Sequence, residues 1–314
     1  MRTGPSGRTS AAMDNPAQSI LPQASMGTFL RFRAGMGVIC RVGIQATLFW
    51  LLPLLAPAAE APASLDRGYR LMYNLQFDSA HQEFLQWQRE KPNDPLGHVS
   101  EAANYLFSEF ERLGVLETQF FANDSLFRAR RKLLPDPGVR ARFDKALDRA
   151  EAEARRHLTA EVQNYNSLFA LALVFGLKAD YAALIEKQNM ASLRYTRQAS
   201  ELAEQLLAVA PHYHDAYLAT GIANYIIGSM VAPLRWIFRL TGYAGNKEKG
   251  IQQLRLAAEN GRFLGPFARI LLSIAHLREN ERQQARRLLV GLREEFPSNP
   301  LFAREIARLD RQAE

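Results

Sequence analysis

From residue 64 onward, apolar residues recur three and four positions apart, the spacing of helices that bury one face. Residues 64–75 and 78–90 predict a first pair of helices, closed by Pro92, which cannot continue the backbone ladder. Asn93-Asp94-Pro95 makes the next turn, residues 95–113 restart the pattern, and Gly114 ends that helix. After a break at Pro135-Asp136-Pro137-Gly138, residues 139–160 read as a long amphipathic helix. Val139, Phe143, Ala146, Leu147, Ala150 and Ala154 lie on its apolar face; Arg142, Lys145, Arg149, Glu151 and Glu153 lie on the solvated one. A helix over 161–178, an inserted helical segment over 180–194 and a helix over 196–209 follow, the last closed by Pro211. Further pairs fall at 214–230 with 248–261, and within 266–297; the polar-backed LFAREIARLDRQ then suits a cap. No run alternates with the period of a strand, so the chain is expected to be all-α.

The pairs share more than periodicity. Gly68, Ala80, Phe84 and Pro92 stand at offsets 0, 12, 16 and 24. Small residues at 68 and 80 let two helices approach, Phe84 fills the space between them, and the proline stops the second helix. Ala199 and Pro211 keep the interval of Ala80 and Pro92; Ala285, Leu289 and Pro297 repeat it, and Gly250, Leu254 and Ala257 match in type. This pattern resembles the tetratricopeptide repeat, a helix–turn–helix unit of about 34 residues. The stretch GNKEKGIQQLRLAAENGRF, with its following LLSIAHL helix and PSNPLF exit, is similar to repeat proteins of exported bacterial sets, which usually have no assigned reaction. The resemblance covers about 64–312, with 115–160 and 231–246 outside it. It implies an α-solenoid of four or five irregular helix pairs with helical insertions and a C-terminal capping helix.

The N-terminus divides from this array. Residues 1–35 are rich in Ser, Pro, Gly and Ala, and read as disordered or as sequence upstream of a start at Met26 or Met36. Residues 36–63 carry Arg41, the apolar run Val42–Leu55 and the small-residue tract APAAEAPAS, the three parts of a secretory signal. Cleavage after Ala58 fits best; an uncleaved anchor is the competing reading, against which the run is short and broken by Pro53. The repeat domain is 64–314, and its expected location is the periplasm or envelope. The lone Cys40 precedes the apolar run, so a chain cut after Ala58 has no disulfide and no thiol chemistry. The formal charge of +7 falls to about +4 without residues 1–63, too mild to argue for nucleic acid.

By repeat register, the groove-facing positions of the first helices are aromatic and aliphatic. Tyr69, Met72, Tyr73, Leu106, Phe107, Leu218 and Tyr225 are the expected partner-binding residues. They lack the Lys/Arg/Asn clamp by which such repeats hold a peptide carboxylate. An apolar groove either binds a partner helix or extended peptide, or is filled by the insertions. Segment 231–240, with Leu234, Trp236, Ile237 and Phe238, is the expected filler, and filling is favoured because large exposed apolar patches are uncommon. The same segment suits docking to a membrane or a membrane protein. His212-Tyr213-His214-Asp215 places two imidazoles and a carboxylate in one turn, yet reads better as a turn with a cap than as a metal site. No nucleophile motif, HExxH or phosphate loop is present. The expectation is a non-catalytic scaffold for a protein or peptide, with no cofactor and no metal.

Overall fold

Each helix begins and ends where its local chemistry requires. The computed structural model describes residues 64–116, 133–230 and 244–311. Among them are α1 (Leu65–Tyr73), α2 (Phe77–Glu90), α3 (Pro95–Arg112), α4 (Pro137–Ala160), α5 (Tyr165–Leu184) and α6 (Asn189–Val209). A 3-10 turn (His214–Ala216) leads into α7 (Tyr217–Gly228), followed by α8 (Lys247–Asn260), α9 (Gly265–Arg278), α10 (Arg282–Glu295) and α11 (Pro300–Arg311). The described residues contain no strand, and the fold is an all-α, solenoid-like succession of helix pairs capped by α11.

Two kinds of turn alternate. Within the pairs, a left-handed residue reverses the chain: Leu75, Gly114, Lys187 and Asn280 all have φ between 58° and 69°. At each of these turns the next amide then bonds back to the helix, as Gln76 does to the Leu71 carbonyl and Glu281 to that of His276. This satisfies end carbonyls that a helix otherwise leaves orphaned. Between pairs, the residue before each proline is pushed out of the helical region. Lys91, Ala210 and Phe296 accordingly share φ between −124° and −138° and ψ near 70°. Asp94 and Asn164 then cap the next helices through their side chains, as Asn299 does for Leu301 N–H.

Helices pack in chain order, within each pair and from the second helix of one pair to the first of the next. In the first pair, Ala80 and Phe84 are fully buried, and a side chain at Gly68 would overlap the Phe84 ring. In the fourth, a Cβ on Gly250 would lie 2.5 Å from the Tyr225 backbone nitrogen and 2.8 Å from the Gly221 carbonyl oxygen, so α7 and α8 meet backbone to backbone.

The segment 180–194 is not a separate insertion. α5 continues through it to Leu184 and α6 begins at Asn189, so the third pair is two long helices joined by a tight turn at Lys187. α5 is apolar on nearly every side and buried among α3, α4, α6 and α7, as a central helix should be. It is the one helix among the described residues long and apolar enough to cross a membrane, and two thirds of its apolar stretch is buried inside the fold.

The array does not stay open. α1 returns onto the far end of the chain: Tyr73 donates to the Phe263 carbonyl, and Asn299 donates to the Tyr73 carbonyl at 2.9 Å. Ser298 N–H donates to the Asn74 side chain at 3.1 Å, while Tyr69 stacks on Phe263 and Tyr73 packs on Phe296. Asp66 and Arg262 form a two-pronged ion pair at 2.6–2.8 Å on the surface of the same joint. The succession of pairs therefore closes upon itself.

Candidate functional site

Closure turns a groove into a cavity. The first helices of all five pairs (α1, α3, α5, α7 and α9) contribute walls, and α6 adds Thr196 and Ala199. The space is partly open to solvent, holds about 90 Å³ and has an overwhelmingly apolar lining. Side chains spaced three and four apart make each wall, because those positions share one face of a helix. On α5 they are Phe169, Ala172, Leu173, Gly176, Leu177 and Asp180, with Ala179 beside them. A Cβ added at Gly176 would meet nothing within 4 Å, so that glycine leaves space where another residue would occupy it.

The expected groove residues divide. Tyr69, Met72, Tyr73, Phe107 and Leu218 reach the cavity wall. Leu106 is instead packed in the core, 1% exposed, and Tyr225 lies half-buried beside α8, where the close approach at Gly250 holds its backbone. Nor are the tyrosines open anchors. Tyr69 and Tyr73 are 4% and 7% exposed, spent on the joint with Phe263 and Phe296. Ser100 donates to the Tyr69 hydroxyl at 3.1 Å, and burial pushes both phenols well above their ordinary range. Phe107 meets Phe267 edge to face at 5.4 Å, which joins α3 to α9 across the cavity. Leu234, Trp236, Ile237 and Phe238 lie outside the described residues, as do 1–35, the 36–63 segment and 117–132.

Two carboxyl groups belong to the wall, and their surroundings differ. Asp215 is 4% exposed and accepts from three successive backbone amides, those of Arg262, Phe263 and Leu264, at 2.8–3.0 Å. Burial raises its affinity for a proton, and the three amides and the nearby Arg262 guanidinium oppose that rise. Its work is to hold the α8–α9 turn, against which α1 closes. Asp215 also borders a more polar cleft at the turn end of the array, with His212, His214, Lys91, Asp94 and Arg262 around it. Among the described residues no group of three or more His, Cys, Asp or Glu is placed to hold a metal.

Asp180 has no such support. It forms no hydrogen bond or ion pair with the described residues, and burial alone pushes its carboxyl up to about 7. Lys178, two positions earlier in the chain, is engaged with Glu151 at 2.7 Å. Neither Asp180 nor Gly176 is among the expected site residues: Asp180 falls in the segment expected as an insertion, and Gly176 lies within the helix expected over 161–178, where nothing marks it as more than a packing position. The signal present was a lone acid four residues after a glycine inside an apolar run, LVFGLKADYAAL. Comparison with protein-family models and with curated proteins finds no match for the chain.

Proposed function

We propose that this chain is a non-catalytic binding scaffold of the tetratricopeptide type, exported to the periplasm or envelope, which receives an apolar group of a protein partner in its central cavity. The observation that carries this reading is the convergence of five first helices on one apolar space that their side chains leave unfilled. A solid core would be the cheaper arrangement, since unfilled volume forfeits packing. The chemistry of the wall supports binding over turnover. Asp215 is committed to backbone amides, and among the described residues Asp180 has no histidine, second acid or nucleophile bonded to it with which to share a proton. Export rests on the arginine, apolar run and small-residue order of residues 41–63.

The size of the cavity limits what enters. With α1 closed it accepts a side chain or a narrow molecule, and a partner helix would need α1 displaced. Crosslinking and affinity capture from native envelopes, with a C-terminal tag, tests the reading. Gly176→Leu should fold with unchanged helical content and lose the partner that the unsubstituted chain captures. Capture of an identical set by both proteins overturns the cavity as the binding site.

A further inference from the structure

Asp180 is an exception among the buried or half-buried carboxylates of this fold. Glu101 accepts from Gln88 and Tyr105, Glu109 from Arg112 and the Asp136 amide, Glu151 from Lys178 and Arg155, and Asp215 from three amides. Asp180, half-buried, is alone among these in lining the apolar space with no bonded partner among the described residues. An ionised carboxylate removed from water costs several kcal/mol unless a counter-charge or donor meets it. Asp180 is half-buried in an apolar wall with no donor among the described residues, so its carboxylate is left to water, and a ligand that brings a donor replaces that water.

The missing group has a definable chemistry. Among the described residues the cavity wall contains no Lys or Arg, so the Asp180 carboxylate, once ionised, meets no counter-charge there. A cation complements it, and an ammonium on a carboxylate forms the stronger, charge-assisted class of hydrogen bond. The remainder of the wall near Asp180, including Leu173, Gly176 and Leu177 on its own helix and Ile222 on α7, suits methylene carbons. A volume of about 90 Å³ corresponds to roughly six to nine water-sized places, enough for a single unbranched stem and too little for a large fused-ring molecule. Gly176, one helical turn before Asp180, is the wall position where a stem passes without displacing a side chain.

We propose that this cavity binds an alkylammonium group, with the methylene stem against α5 and α7 and the ammonium on the Asp180 carboxylate. The group is either a short free amine or the side chain of a lysine presented by the partner. The inference rests on the cavity reading given above and adds the chemical class of the occupant.

Isothermal titration of the full chain at pH 8 with n-hexylamine, 1-hexanol and hexanoate tests it, with Nα-acetyl-lysine amide as a fourth probe. The amine should bind at least about tenfold more tightly than the alcohol, and hexanoate more weakly than either. Asp180→Asn should reduce the amine to the level of the alcohol, and Gly176→Leu, checked for its helical content by circular dichroism, should abolish both. Preference for acetyl-lysine amide over hexylamine identifies a side chain as the source; the reverse order identifies a free amine. Equal binding of amine and alcohol, or an amine preference that survives Asp180→Asn, overturns the ammonium assignment and leaves the cavity reading standing. No binding of any probe to the folded chain overturns both.

Discussion

The Tyr73 hydroxyl donates to the Phe263 carbonyl at 3.0 Å, joining two residues 190 positions apart in the chain. The bond is buried, so Tyr73→Phe should cost about 1 kcal/mol in urea unfolding, with the orphaned carbonyl adding to the loss. Amide exchange in residues 65–73 should accelerate more than elsewhere. The neighbouring Asp66–Arg262 pair is solvent-exposed and should contribute under about 1 kcal/mol, as Arg262→Ala would read. An Arg262→Ala loss larger than that of Tyr73→Phe would reverse this ranking.

Asp180 gives the fold a dependence on pH with a definite sign. Its carboxyl titrates near 7 when folded, against an ordinary value of 3.8. Between these values the folded chain holds a proton that the unfolded chain releases, so stability falls as pH rises through that window and levels off above it. The loss approaches roughly 4 kcal/mol at its upper end. Asp180→Asn removes the titration. The gap in melting temperature between that variant and the unsubstituted chain should widen from pH 4 to 7 and then stay constant; a gap independent of pH refutes the assignment.

Glycine-to-alanine changes should differ in sign by position. At Gly176 the new methyl enters open space within a helix, so stability should rise by about 0.5–1 kcal/mol. At Gly250 it meets the backbone of α7, which cannot step aside, and the cost should be about 2 kcal/mol or more. Gly68 should fall between them, because the ring of Phe84 is a side chain and can shift. Chemical denaturation of the three variants orders them directly.

Asp215→Ala should be the most damaging change in the turns, by about 3 kcal/mol, since three buried amides lose a charged acceptor together. Asp215→Asn keeps an acceptor oxygen and should cost less. Exchange protection at residues 262–264 reports the effect locally, and protection that persists in the alanine variant would show that the carboxylate does not hold this turn.

The local devices were legible because their partners lie close in sequence. Gly68 and Phe84 signal the first helix pair from a 16-residue interval, and Pro92, Pro211 and Pro297 mark ends that steric exclusion makes unavoidable. The turn at Lys187 was hidden, because its left-handed residue is neither glycine nor asparagine and its neighbours Glu186, Gln188 and Asn189 suit a solvated helix face as well as a turn. Closure was also invisible: nothing in the local pattern around Tyr73 names Phe263 or Phe296. The inward direction of Tyr69 and Phe107 followed from helical register, but whether an open or a closed space lay in front of them depended on that distant joint.

Closure also sets an order of events during synthesis. α1 has nine residues, fewer than an isolated helix needs to persist in water. Its apolar face, with Tyr69, Met72 and Tyr73, leaves the ribosome ahead of the other helices, while the residues that cover it at 263 and 296 follow about 190 to 220 residues later. At about 5–20 residues per second, that interval lasts roughly 10–40 seconds. Throughout it the nascent chain displays an uncovered aromatic strip, a natural target for a holding chaperone, and release becomes possible only when the final helix pair arrives.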